Sequence, residues 1–209
     1  MDYDKIKQEA KDALSGHWTE AVVAYMVIGA ISLFVRIIPL IGSIGALLLS
    51  GALAVGFSRF CLNIIRSHEA KVEDAFWGFK QYERSLGASL LVLLYVFLWA
   101  LLLIIPGIIK AISYSQVYFI LADDENVRIS EALKRSEQMM DGYKVDLIVL
   151  HLTFIGWAIL CVFTCFIGFL WLGPWIQVSL AKFYLEVKSD WETRMGIYPS
   201  QSTDDVINA

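Results

Sequence analysis

Charge is scarce in this chain. Of its 209 residues only 18% are charged and 57% are hydrophobic, where ordinary soluble domains carry about 25% charge and about 45–50% apolar residues. The mean hydropathy is +0.60. That balance argues against a water-soluble domain and for a membrane protein. A net charge of −4 supplies no basic surface for nucleic acid. Cysteine is scarcer still: Cys61, Cys161 and Cys165 are an odd number set inside apolar runs. A disulfide framework needs exposed, even-numbered positions, so these three read as small packing residues.

Catalytic motifs are missing too. "HEAKV" at residues 68–72 opens like a zinc-protease helix, but Val72 stands where the second histidine has to be. Ser15 and Ser50 each precede a glycine, yet neither follows one as a nucleophile turn requires. Asp123, Asp124 and Glu125 form an acidic triplet far shorter than a calcium loop of about twelve residues, and read as a solvated loop. No catalytic residue, metal set or cofactor is expected, and enzymatic activity is the least favoured class. The N-terminus mixes acids and bases at helical spacing, unlike a secretory leader with its basic start and apolar core.

What the chain does contain is apolar length. Segments run over residues 21–38, 40–65, 86–105, 107–122, 147–165 and 168–187, and a spanning helix needs about 20 residues. They fall into pairs, about 21–65, 86–122 and 147–187, joined by the apolar tips "RIIPLIG", "IIPGIIK" and "TCFIG". Proline and glycine suit the turns. The expected fold is all-α: six transmembrane helices in three hairpins, a single domain over residues 1–195 and a disordered polar tail over 196–209.

Charge placement orients the hairpins. Fifteen of the seventeen basic residues lie before, between or after them, and only Arg36 and Lys110 lie near the tips. All 21 acidic residues fall on the majority side as well. The positive-inside rule puts both termini and both long connections in the cytoplasm. Each hairpin is preceded by an amphipathic stretch: Tyr3, Ile6, Ala10, Ala13 and Leu14, then Val72, Ala75, Phe76 and Phe79, then Ile129, Ala132, Leu133, Ser136 and Met140. All three are expected as short interfacial helices. The unit of amphipathic helix, span, tip and span recurs at about 60 residues, as an internal repeat would. "YSQVYFIL" (114–121) and "WIQVSLAKFYL" (175–185) take the same place in units two and three, and parallel repeats imply pseudo-threefold symmetry.

From about residue 97 to residue 184, "FLWALLLIIPGIIKAISYSQVYFILADD", "ISEALKRSEQMMDGYK", "LTFIGWAIL" and "IGFLWLGPWIQ" resemble the bacterial integral membrane family called domain of unknown function 975. The chain departs from that pattern at Tyr143, where His or Asn is expected, and at Cys165–Phe166, where a Leu-Gly pair is usual. The resemblance implies a polytopic protein of the bacterial inner (plasma) membrane with no assigned reaction, and transfers no site residue.

A few polar positions carry functional expectations. Arg36 and Lys110, beside the tips, either bind anionic lipid headgroups at the outer interface or simply snorkel to it. Gln116 and Gln177 fall near the bilayer midplane, lining a path or hydrogen-bonding between helices. His151, inside the third hairpin, relays protons or packs. Ala46, Ser50, Ala54 and Ser58 form a small-residue ridge against a neighbouring helix of this chain or of a second copy. The leading expectation is a non-catalytic protein that organises lipid or other membrane proteins from the cytoplasmic face. The rival is a transporter or channel for a small solute or lipid. Expected partners are membrane lipids, with other membrane proteins or a homo-oligomer beside them, and no nucleic acid.

Topology is directly testable. Reporter fusions at residues 70, 126 and 200 are expected to read cytoplasmic, and a cysteine replacing Ser43 to react with an impermeant reagent applied outside. Protection of that cysteine would mean that the first hairpin does not cross.

Overall fold

The computed structural model describes residues 2–36, 41–67, 71–164 and 167–196. Among them the regular secondary structure is all helical: α1 (Tyr3–Leu14), α2 (Trp18–Arg36), α3 (Ile41–Ser67), a 3₁₀ helix (Val72–Phe79), α4 (Tyr82–Leu102), α5 (Ile104–Ser113), α6 (Val117–Asp123), α7 (Ile129–Met139), α8 (Lys144–Thr153), α9 (Ile155–Phe163) and α10 (Phe169–Arg194). The expected disordered tail lies outside the described residues from 197 onward.

Local chemistry sets the helix ends. The Asp2 carboxylate accepts the Asp4 and Lys5 amides, each at 3.1 Å, which occupies donors that a helix start leaves unpaired. Gly16 (φ 92°) and Gly142 (φ 90°) supply the left-handed residue in the turns from α1 into α2 and from α7 into α8. The tip after α4 falls earlier than the sequence suggests. Leu103 alone is extended (φ −159°), and Pro106 sits in the first turn of α5, where a missing N–H costs nothing. From there α5 doubles back along α4. The Gly107 Cα faces Ala100, which a Cβ would approach to 2.7 Å, and the Tyr95 and Tyr114 rings lie 6.1 Å apart.

Helix α3 is the packing centre, and it meets its neighbours backbone to backbone. A Cβ at Gly56 would lie 2.0 Å from the Ala75 carbonyl oxygen, one at Gly78 would lie 2.0 Å from that of Ala52, and one at Gly51 would strike Ser89 Oγ at 2.1 Å. Buried hydroxyls close the seam, with Ser85 Oγ donating to the Gly78 carbonyl (3.1 Å) and Ser89 Oγ to that of Ser85 (3.0 Å). The close-approach face is therefore Gly51, Ala52, Val55 and Gly56. The expected ridge is displaced from it: Ser50 is exposed, Ala54 is half-buried, and only Ser58 is buried. The side chain of Ala46 is outside the described set.

The three amphipathic helices also differ from expectation. Their apolar faces are covered mostly by protein rather than left for lipid, although Phe79 stays exposed. Ile6, Ala10 and Leu14 of α1 are wholly buried. This helix is tied to α10 by Trp175 Nε1 donating to the Lys7 carbonyl (3.0 Å) and by Lys182–Glu9 (2.8 Å). Tyr3 donates to Asp146 at 2.6 Å, and that bond raises the pKa of the Tyr3 hydroxyl. The middle one is a 3₁₀ helix with Ala75 and Gly78 pressed on α3. Helix α7 buries Ala132, Leu133, Ser136 and Met139. Their charged faces made these helices look interfacial; their small apolar residues let α3 and α10 come close instead.

Exposed apolar surface lies elsewhere. Leu101 (77%), Ile104 (74%) and Phe163 (81%) stand open, at the α4–α5 junction and the end of α9, and aliphatic side chains of α8 and α9 continue the belt. Among the described residues four stretches are long and apolar enough to cross a membrane: Leu48–Arg66, Tyr82–Leu101, Ile104–Asp123 and Lys144–Phe163. A shorter apolar stretch covers Trp18–Leu33.

Gly56→Ala and Gly78→Ala are expected to lower stability by about 1–3 kcal/mol each, since a methyl group has no space between the two backbones. Ser50→Leu is expected to change it by less than about 0.5 kcal/mol. Thermal unfolding in detergent reads both, and equal effects at Gly56 and Ser50 would refute the seam.

Candidate functional site

The densest polar arrangement surrounds the end of α6, the acidic triplet that reads from sequence as a solvated loop. That expectation is corrected: each of the three acids is paired. Asp123, whose side chain is 6% exposed, receives Arg66 of α3 on Oδ1. Its Oδ2 accepts Lys188 and the Tyr184 hydroxyl (2.9 Å), both from α10. Asp124 Oδ1 accepts the Asn126 amide at 2.9 Å, which shapes the turn, and Oδ2 faces Arg135 of α7 at 3.4 Å. Glu125 pairs with Arg59 at 2.8 Å, whose guanidinium lies 4.1 Å above the Trp77 ring.

Backbone groups join the network. The guanidinium of Arg84, from the first turn of α4, donates to the carbonyls of Asp124 (2.7 Å), Glu125 and Val127. These carbonyls belong to the cap residue of α6 and the loop leading to α7, and one planar cation with several donors can meet all three at once. Below the junction the Phe119 and Tyr184 rings stack at 5.5 Å. Polar and aromatic contacts thus hold α3, α6 and α10 at one point. Between α6, α7 and α10 a cleft of about 300 Å³ opens beside Asp123, bordered by Ile120, Arg135, Lys188 and Trp191.

The arrangement suits structure and recognition better than proton abstraction, because both Asp123 oxygens already accept strong donors. Among the described residues no group of three or more His, Cys, Asp or Glu side chains is placed to hold a metal ion.

The residues singled out from sequence are scattered. Lys110 does not reach outward: its ammonium pairs with Glu137 of α7 and lies 5.4 Å from the Trp99 ring centre. Its neighbour Ser113 offers its carbonyl to Ser136 Oγ at 2.7 Å, so α7 reaches back along α5. Gln116 is buried in the break between α5 and α6, and its Nε2 donates to Ser115 Oγ at 2.9 Å. This bond is local and does not join Gln116 to Gln177, which is half-buried on α10. His151 is exposed rather than packed, its Nδ1 2.8 Å from the Leu147 carbonyl oxygen. Arg36 ends α2 with its side chain outside the described set, as does the whole of Cys165. Cys61 and Cys161 are buried thiols. Residues 68–70 of the failed zinc motif are not described.

Sequence reading missed the Asp123 junction because its partners sit far away in the chain. Arg66 and Lys188 lie 57 and 65 positions from Asp123. The available signal was Asp123 itself, an acid on the last turn of an apolar helix.

An all-α chain with four helices long and apolar enough to cross a membrane, held by ion pairs at one end, is a helical protein of membrane-spanning composition. It belongs to the family described as protein of unknown function (DUF975), which matches residues 1–113 and 100–190. The family match thus takes in the N-terminal half, beyond the resemblance seen over residues 97–184. No curated protein and no solved structure matches the chain.

Asp123→Asn is expected to destabilise the fold by about 2–3 kcal/mol, since it removes the charge that two cations and a buried hydroxyl share. Asp124→Asn, partly exposed and paired at 3.4 Å, is expected to cost less than about 1 kcal/mol. Unfolding measurements on the two variants check this, and equal losses would mean that Asp123 does not organise the junction.

Proposed function

We propose that this protein is a non-catalytic organiser of the bacterial inner membrane, crossing it six times as three hairpins and presenting its working surface to the cytoplasm. The observation that carries the reading is the separation of polar from apolar surface. The junction at Asp123 collects Arg59, Arg66, Arg84, Arg135 and Lys188 at one end of α6. The opposite reach of α4, α5 and α9 is exposed and apolar. With the basic residues inside, both termini face the cytoplasm. The like glycine turns at Gly16 and Gly142 support a repeat in units one and three, while the 3₁₀ helix sets unit two apart. Its partners are membrane lipids, with a second copy or another membrane protein held at the cytoplasmic face.

The rival transporter reading needs a polar path through the midplane. Burial of Gln116 at 1% exposure, with its amide bonded to the adjacent Ser115, supports a closed bundle. The test replaces Gln116 and Gln177 with Leu together. A closed bundle expects the double variant to stay in the membrane fraction, to shift stability by no more than about 1–2 kcal/mol, and to complement a deletion strain. A folded double variant that fails to complement would move the reading to transport.

A further inference from the structure

We propose that the cleft between α6, α7 and α10 binds a phosphate ester bearing its own primary amine, supplied by the headgroup of an ethanolamine-type phospholipid. The inference rests on the membrane reading above and adds the chemistry of the lipid. The cleft opens where the apolar stretch Ile104–Asp123 ends. Ile120 and Met139 border it beside charged residues, and Trp191 adds the kind of amphipathic ring that favours the headgroup level. Its volume of about 300 Å³ sits at the lower end of the roughly 300–1,000 Å³ usual for ligand sites, which suits a headgroup and not a whole lipid.

The charges select among headgroups. Arg135 of α7 and Lys188 of α10 border the cleft on different elements. Arg135 has five N–H donors, and its contacts are one ion pair at 2.6 Å to Glu131 and one long contact at 3.4 Å to Asp124. It retains donors for a phosphate. Among the described residues Glu192, also at the cleft, pairs with Lys188 alone, at 3.7 Å, and retains acceptors. Of the three carboxylates at the cleft, Asp123 is already met by Arg66 and Lys188 and Asp124 by Arg135, whereas Glu192 has its nearest cation, Lys188, at 3.7 Å. A purely anionic headgroup brings no positive charge to Glu192 and is repelled by it. An ester with a phosphate for Arg135 and Lys188 and an ammonium for Glu192 and Asp124 satisfies both signs. A trimethylammonium group has no N–H to donate, so choline is the poorer fit.

The experiment is native mass spectrometry of the intact chain released from micelles doped in turn with phosphatidylethanolamine, phosphatidylglycerol or phosphatidylcholine. The ethanolamine lipid is expected to be retained at least about fivefold better than the other two. Arg135→Gln is expected to lower its retention about tenfold, as loss of one charge-assisted hydrogen bond would. Glu192→Gln is expected to abolish the preference over phosphatidylglycerol without weakening phosphatidylglycerol itself. Lys134→Gln, exposed on α7 and not at the cleft, should change nothing. Unchanged melting temperatures establish that the variants are folded. Equal retention of the three lipids, or an ethanolamine preference untouched by both cleft variants, overturns the proposal. Recovery of the chain outside the membrane fraction defeats the membrane reading separately. Soluble phosphoethanolamine then tests the cleft by itself: binding lost in both variants keeps the chemistry and assigns a soluble source, and absence of binding overturns it.

Discussion

The Asp123 carboxylate, buried at the end of an apolar helix, is the constraint around which the rest is arranged. A carboxylate removed from water is costly unless positive charge and hydrogen bonds surround it. Arg66 from α3 and both Tyr184 and Lys188 from α10 meet that demand. They come from separate parts of the chain, so satisfying one side chain fixes three helices in register. The adjacent carbonyls are met by Arg84, which brings the start of α4 to the same point. Replacing such a network with apolar residues is often neutral for stability, whereas removing one partner alone leaves a buried charge uncompensated.

A second constraint acts at the other face of α3. With no hydrophobic force between helices in lipid, association depends on close packing and on hydrogen bonds. The seam of Gly51, Gly56 and Gly78, closed by Ser85 and Ser89, is what that physics favours. It also explains why the segment at 72–79 winds as a tight 3₁₀ helix. Its backbone lies directly on α3, with Gly78 against Ala52 and Ala75 against Gly56. The seam and the junction leave α4, α5 and α9 as the periphery, and these carry the exposed aliphatic surface that hydrocarbon would cover. The cleft proposed as a headgroup site lies where the two regimes meet, with Ile120 and Arg135 on its border.

Much of this was legible in the residues. Composition and apolar length are set by side-chain chemistry alone, so the all-α class and the apolar helical segments could be read directly. The blocks between residues 97 and 184 pointed to the family. Three matters could not be read. Helical periodicity says that α1 and α7 have an apolar face, but not whether lipid or protein covers it. A small-residue ridge says that close packing is possible, but a rotation of about 100° per residue separates Ser50 from Gly51, and only the neighbour decides between them. Lys110 beside a tip reads as snorkelling outward, while in the fold it pairs with Glu137 of α7.

What the sequence by itself determined, then, is local: which segments are helical and apolar, and where charge is excluded. Each of those depends on residues within a turn or two of one another. Tertiary structure decided the pairing of charges. Asp123, Asp124 and Glu125 are chemically indistinguishable from a solvated loop until Arg66, Arg135 and Arg59 arrive from distant helices. Burial and partner are properties of the assembled fold, and they alone turn an acidic triplet into the point that holds α3, α6 and α10 together.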